Sequence, residues 1–244
     1  MIAVVVQKLK SLSVFFPAYN EEANLEILLQ QAKRIIPTLA RTYELLVIDD
    51  GSTDRSAAIV RKLAKKDSHI KLVSHSKNLG YGEVLKTGIR ESRFEWIFWS
   101  DSDLQFDLAE LGFFVQAANQ GKLAIIGYRK KRSEGWGRQF NAHLFKWYID
   151  ALFRLHVKDI DCAFKLIRAD LLKSLRLNSG SAFTSAEILY RLKKKKVRFT
   201  EIGVTHYKRL YGQPTGAKIS VIVKACVESL TTYINIKLSS LKLK

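Results

Sequence analysis

Three acid-bearing clusters carry the chemistry of this 244-residue sequence: Pro17-Ala18-Tyr19-Asn20-Glu21, Asp49-Asp50-Gly51-Ser52 and Asp101-Ser102-Asp103-Leu104-Gln105. The third follows Trp96-Ile97-Phe98-Trp99, a run apolar enough to be a buried strand. Two like charges at the end of such a strand repel unless a cation or a hydrogen-bonding ligand meets them. If the chain stays extended past the strand, Asp101, Asp103 and Gln105 project to one side and aim three oxygen ligands at one point. Oxygen-only ligation with few carboxylates suits Mg2+ or Mn2+, which keep waters and complete their shells with substrate phosphates. The structural alternatives are a helix cap for Asp101, a solvated Asp103, and an N-cap and turn made by Asp49 and Asp50.

Periodicity supplies the elements that must position these clusters. Leu12–Phe16 reads as a strand stopped by Pro17, and apolar residues at 25, 28, 29, 32, 35 and 36 make an amphipathic helix over about 21–35. Glu44–Ile48 is a second strand, with Ser, Thr and Asp of DDGSTD as N-caps for a helix from about Arg55 to Lys65. Ile70–Ser74 is a third, followed by KNLGYG and a helix near Glu83–Glu91, and Leu123–Gly127 is a fifth after Trp96–Trp99. Apolar strands alternating with helices predict an α/β, doubly wound, mostly parallel sheet with helices on both faces. Ligands bind at the carboxyl ends of such strands, so Glu21, Asp49, Asp50, Asp101 and Asp103 are expected along one edge of the sheet.

Composition narrows the function. No uncharged stretch is longer than Leu111–Gly121, well short of the roughly 18 residues that cross a bilayer. The six-residue apolar start offers no small-residue cleavage site, so a secretory signal is not expected. Cys162 and Cys226 are far apart, outside any CxxC spacing, and the five histidines are scattered, which argues against disulfide and zinc scaffolds. The glycines at 80, 82 and 88 miss the dinucleotide spacing and there is no GxxxxGK[ST], so neither a nicotinamide enzyme nor a P-loop protein is indicated. Residues 1–122 hold 16 Lys and Arg against 15 Asp and Glu, whereas residues 123–244 hold 25 against 8. That asymmetry suits a protein that grips a metal–phosphate group with one half and an anionic surface or phosphorylated acceptor with the other, rather than nucleic acid.

PAYNEE, VIDDGSTD, NLGYG, SDSDLQ and HYKRLYGQPTG, in this order between about Leu12 and Lys218, resemble the family 2 glycosyltransferases, in particular the dolichyl-phosphate mannose synthase and polyprenyl-phosphate glycosyltransferase group. The resemblance implies a GT-A fold over residues 1–217, divided near 122 into a nucleotide-sugar and metal half and an acceptor half. It implies inverting transfer of mannose or glucose from GDP-mannose or UDP-glucose to polyprenyl phosphate at the cytoplasmic face of a membrane. By position, Pro17, Tyr19, Glu21, Asp49, Asp50, Gly51 and Ser52 would hold the nucleotide, Asp101, Asp103 and Gln105 the Mg2+ or Mn2+, and Arg209 the phosphates. Catalysis would fall to Asp101, Asp103 and Arg209. The middle DxD residue is serine where alanine is usual, and Gly212-Gln213-Pro214-Thr215 stands where many relatives have Gly-x-Ser-Lys.

A phosphate acceptor is already ionised at neutral pH and needs cations rather than a general base. YRKKRSEGWGR, residues 128–138, reads as a mobile loop whose Arg129 and Arg132 meet the acceptor phosphate, or as a solvated charge run. The following helix, apolar at 140, 144, 147, 148, 151 and 155 and widened by 145, 149 and 153, either lies on a bilayer or is buried on both sides. Residues 218–244 form an amphipathic tail for anionic lipid, for the domain surface or for a homodimer. Two rivals remain: a hydroxyl acceptor with Glu187 as base, and an inactive membrane or nucleic-acid binder.

Overall fold

The computed structural model describes residues 7–131, 147–211 and 226–234. Strands β1 (Leu9–Ala18), β2 (Ala40–Asp49), β3 (Ile70–Ser74), β4 (Trp96–Trp99), β5 (Ala124–Arg129), β6 (Lys165–Arg168) and β7 (Phe199–Val204) form one sheet in the order β3-β2-β1-β4-β6-β5-β7. Only β6 runs antiparallel, against both β4 and β5. The helices are α1 (Glu22–Leu39), α2 (Ser56–Ala64), α3 (Tyr81–Glu91), α4 (Leu111–Asn119), α5 (described over 147–153), α6 (Ala169–Lys173), α7 (Thr184–Lys194) and α8 (described over 226–234). The five strands expected from periodicity are present, while β6 and β7 were not expected.

Strand β1 runs through Pro17 rather than stopping there. β4 pairs only with Leu12–Phe15 of β1, so Pro17 lies beyond that ladder and within the pairing to β2 alone. The order reverses direction between β1 and β4, and the carboxyl ends of these strands flank the resulting crevice. Val14, Phe15, Phe16, Leu45, Val47, Ile97 and Phe98 are fully buried, and the Phe15 and Trp99 rings stack at 5.7 Å. Helix α3 packs closely on this layer because Gly88 lets it. A Cβ there would come 2.5 Å from the Phe15 ring.

The opposite edge of the sheet is braced by a buried carboxylate. Glu44 accepts from Ser13 Oγ at 2.7 Å, Arg93 N at 2.8 Å, and Lys71 Nζ and Arg93 Nε at 3.0 Å. Burial works to raise its pKa, and these donors more than offset it, leaving the carboxyl below its ordinary value.

Candidate active site

The loops after β1 and β2 are laced together. Ser52 Oγ accepts from Asn20 N at 2.9 Å, Asn20 Oδ1 accepts from Thr53 N at 2.8 Å, and Ser56 Oγ accepts from Glu21 N at 2.9 Å. Asp54 receives both Glu22 N at 3.1 Å and Ser56 N at 2.9 Å. The expected N-caps of α2 therefore act as cross-braces that start α1 and α2 together. Gly51, at φ +70°, is held to glycine because a Cβ would lie 2.5 Å from the Lys77 carbonyl carbon.

Of the five carboxylates expected at this edge, the structure brings Glu21, Asp101 and Asp103 into one electrostatic group and turns the other two toward backbone. Asp49 accepts from Ser52 N at 3.2 Å. Asp50 accepts from Leu79 N and Gly80 N at 2.9 Å each, and its Oδ1 lies 2.7 Å from His75 Nδ1. Asp50 thus fixes the NLGYG loop and the start of α3. Tyr81, the first residue of α3, donates to Asp101 at 3.4 Å. Pro17 is buried and its carbonyl accepts from Ser102 Oγ at 2.6 Å, which ties the end of β1 to the DxD turn. Tyr19 is partly exposed beside it.

The DxD segment departs from the extended form expected for it. Leu104 has φ +62°, so the chain bends between Asp103 and Gln105 and strict alternation ends. Gln105 N donates to Asp103 Oδ1 at 3.1 Å, and Gln105 Nε2 donates to the Tyr207 carbonyl at 2.8 Å. With the Phe106–His206 bridge and Tyr207 N donating to Gln105 O at 2.8 Å, this zips the segment after β7 onto the exit of the DxD. Arg209 is delivered by that zipper. Its Nη2 lies 2.5 Å from Glu21 Oε1 and its Nη1 3.5 Å from Asp103 Oδ2.

Behind the acids sits a buried basic layer that sequence reasoning did not anticipate. Lys165, 1% exposed and in register with Trp99, donates to the carbonyls of Ile160, at 3.1 Å, and Cys162. Arg129 is the last residue of β5, not part of a mobile loop. It grips Asp159 with Nε at 2.7 Å and Nη2 at 2.9 Å, which corrects its expected placement in a loop. Arg132 lies outside the described residues, as do Gly212–Thr215. The signal for this layer was a second acid-x-acid run, Asp159-Ile160-Asp161, shortly before Lys165.

Burial and the neighbouring Asp103 push the Asp101 carboxyl up to about 7, with Glu21 adding to the rise and Arg129 and Lys165 opposing it. Burial likewise raises Glu21, against Asn24 and Arg209, with Asp103 adding to the rise. Burial lowers the Lys165 amine against Cys162, Asp159 and Asp161. With Asp101 and Glu21 both raised by burial and by Asp103, and the Arg209 guanidinium drawn between Glu21 and Asp103, this is an acidic site that a divalent cation would relieve. Among the described residues no group of three or more His, Cys, Asp or Glu side chains is placed so that it could hold a metal ion, so an ion here would need donor phosphate oxygens as well.

The sequence pattern of glycosyl transferase family 2 matches residues 13–176, which span β1 through α6 and all three acidic clusters. The chain belongs to glycosyl transferase family 2. Among curated relatives, this family 2 chain is 29% identical over 202 residues to the undecaprenyl-phosphate 4-deoxy-4-formamido-L-arabinose transferase of Edwardsiella ictaluri, covering 82% of the chain and 61% of that protein. It is also 29% identical over 204 residues to the Pseudomonas aeruginosa protein of the same name, covering 82% and 59%. The chain thus spans about three fifths of the length of these relatives. In fold it is similar to glucosyl-3-phosphoglycerate synthase from Mycobacterium tuberculosis, solved with Mn2+, UDP and glucosyl-3-phosphoglycerate. The TM-score is 0.69 at 18% identity, over 92% of this chain and 80% of that one. The same synthase with Mn2+ and UDP-glucose gives a TM-score of 0.67 at 17% identity, over 92% and 79%. The architecture is GT-A-like.

Proposed function

We propose that this family 2 protein moves one sugar, with inversion, from a nucleoside diphosphate donor to a polyprenyl phosphate at a membrane surface. The observation that carries the reading is Arg209, set at the β1–β4 crevice between Glu21 and Asp103, with Leu210, Tyr211 and Tyr207 exposed on its own segment. A cation flanked by apolar side chains suits an acceptor with an anionic head and a prenyl tail. The relatives named for undecaprenyl phosphate support the same acceptor. Among sugars, mannose and glucose stand beside the 4-deoxy-4-formamido-L-arabinose named for those relatives.

The reaction is in-line displacement at the anomeric carbon. A phosphate oxygen forms the new bond as the bond to the donor diphosphate breaks, and the electron pair leaves with that diphosphate. Mg2+ or Mn2+, held by Asp101 and Asp103 with Gln105 beside them, would supply charge to the leaving group. Arg209 adds a second positive charge there, and stabilisation of this kind is commonly worth about 3–4 kcal/mol per donor. Glu21, Asp49-Asp50-Gly51-Ser52, Pro17 and Tyr19 shape the nucleoside side of the crevice. An ionised phosphate nucleophile requires no proton transfer.

The rival with Glu187 as base loses support. Glu187 is fully buried and accepts from Asn178 N, Ser179 N and Arg191 Nε at 2.7–3.1 Å, which commits it to structure.

Membrane attachment would be peripheral, with residues 1–217 as the catalytic unit and 218–244 as the attaching tail. No described helix is long and apolar enough to cross a bilayer. On α8, Val227, Leu230 and Ile234 point outward at 59%, 48% and 47% exposure, while Ser229 and Thr232 are buried. On α5, Ile149 and Phe153 of the secondary apolar set are buried and Trp147 is 70% exposed, while Tyr148 and, just past the helix, Leu155 of the main stripe also pack on the core. Lysines at 218, 224, 237, 242 and 244 accompany the outward stripe in sequence and complement anionic lipid.

The deciding assay offers GDP-mannose, UDP-glucose and nucleotide-activated 4-deoxy-4-formamido-L-arabinose with undecaprenyl phosphate, with and without Mn2+, and scores lipid-linked product. Transfer only to hydroxyl acceptors, or to no lipid from any donor, overturns the proposal.

A further inference from the structure

The loop 178–181, between α6 and α7, points four successive backbone N–H groups at carboxylates. Glu187 takes Asn178 N, at 3.1 Å, and Ser179 N, at 2.9 Å. Glu228, from α8 some 50 residues away, takes Gly180 N at 3.2 Å, Ser181 N at 3.1 Å and the Ser179 hydroxyl at 2.5 Å. The first acid belongs to the helix that the loop begins. The second comes from a helix far along the chain from the loop, so its carboxylate reads as a separate clasp.

What the clasped loop touches gives it significance. A Cβ on Gly82 would lie 2.2 Å from Thr184 Oγ1 and 2.5 Å from the Gly180 carbonyl carbon, and one on Gly80 would lie 3.2 Å from Gly180 O. One on Gly180 would meet Glu83 Oε1 at 2.9 Å. Glycine faces glycine here, so the loop and the first turn of α3 fit without slack. On its other side the same turn is held by the Asp50 carboxylate at Leu79 N and Gly80 N, and it carries Tyr81 to Asp101. The turn is therefore clamped between Asp50 and the 178–181 loop.

We propose that Glu228 is a positioning residue for the donor site: through Ser179, Gly180 and Ser181 it seats the Gly80–Gly82 turn, and with it Asp50 and Tyr81, in the geometry that receives the nucleoside diphosphate. The inference rests on the donor reading given above for the crevice. It also links the helix that presents Val227, Leu230 and Ile234 outward to the depth of the site, since Glu228 is the inward neighbour of Val227.

The test compares the full chain with Glu228→Ala, Glu228→Gln and, as a control on the exposed side of the same helix, Thr231→Ala. Binding of UDP and of GDP with Mn2+ is read by calorimetry, and amide exchange is followed at 79–82 and 178–181. Glu228→Ala is expected to weaken nucleotide binding about tenfold and to speed exchange in those two segments, while β1 and β2 stay protected. Glu228→Gln, whose amide oxygen can still accept, recovers at least part of both, and Thr231→Ala changes neither. Unchanged binding in Glu228→Ala, or exchange rising throughout the sheet in step with a lowered Tm, overturns the proposal. If the parent binds neither nucleotide, the donor reading fails. Exchange at 79–82 then decides the clasp alone: a rise confined to the two segments upholds it, and no rise refutes it.

Discussion

Arg209→Ala should have opposite effects on metal binding and on sugar transfer. In the ligand-free site Arg209 lies 2.5 Å from Glu21 and 3.5 Å from Asp103, with 18% of its side chain exposed. Coulomb attraction at such distances is about 5–7 kcal/mol per pair at an effective dielectric near 20, before desolvation. Charge-assisted hydrogen bonds keep about 1.5–3 kcal/mol of that as net stabilisation. A divalent ion taking up Asp103 must weaken at least the longer contact and tolerate a guanidinium close by. Removing Arg209 should therefore tighten Mn2+ binding in the absence of nucleotide by about 10- to 100-fold, or roughly 1.4–2.8 kcal/mol. Transfer should move the other way, with kcat/KM falling about 100- to 1000-fold as the leaving diphosphate loses a cation. Free Mn2+ counted by electron paramagnetic resonance gives the first quantity, and radiolabelled sugar in the lipid fraction gives the second. Arg209→Lys keeps the charge and should show neither gain nor loss in full. Equal or weaker Mn2+ affinity in Arg209→Ala would refute the claim that Arg209 and the ion compete for the same acids.

Asp101→Asn should stabilise the metal-free protein at high pH. With the folded carboxyl at about 7 and the ordinary value at 3.8, Asp101's contribution is fully present below pH 3.8 and is lost as pH rises through 7. Asp101 is partly open to solvent, so the gain from the substitution should be about 2 kcal/mol at pH 8, absent at pH 3.5, and erased by saturating Mn2+; urea titrations at the two pH values read it. Gly82→Ala should cost about 2–3 kcal/mol through the 2.2 Å clash with Thr184 Oγ1, seen as a lowered urea midpoint, and Thr184→Ala should relieve part of it. Leu230→Glu with Ile234→Glu should reduce co-sedimentation with phosphatidylglycerol vesicles at least tenfold, while Phe113→Glu, 57% exposed on α4, leaves it intact. An unchanged pellet would place the lipid contact elsewhere.

The elements that could be read from sequence were those whose apolar pattern is continuous. WIFW, LLVI and SVFF are buried on both faces, so their composition alone marks them as central strands, and the acids that follow them fall at the predicted edge. Strand β7 has five partly buried residues before Val204 and no fully apolar run, and β6 is only Lys165–Arg168 with a charge at each end. Neither gives a signal that periodicity can separate from loop. The lysine in β6 meets the inward-turned carbonyls of Ile160 and Cys162, a contact that the four residues of β6 do not announce by themselves.

The same distinction explains which site residues were legible. Asp101 and Asp103 announce themselves because a like-charged pair after an apolar strand has no cheap local explanation. Asp49 and Asp50 looked identical to them in type and placement, yet their oxygens are spent on Ser52, Leu79, Gly80 and His75. What separates the two pairs is backbone direction. The β2 exit turns through Gly51 at φ +70°, so that Ser52 N reaches Asp49 and Asp50 meets the Leu79 and Gly80 N–H groups before α3, while the β4 exit bends one residue after Asp103, at Leu104, and leaves Asp101 beside Asp103 and Glu21. A carboxylate whose neighbours are amides is a brace. One whose neighbours are carboxylates needs a cation, and in this chain Arg209 reaches two of those three acids from a segment that pairs with the DxD exit through Phe106 and His206.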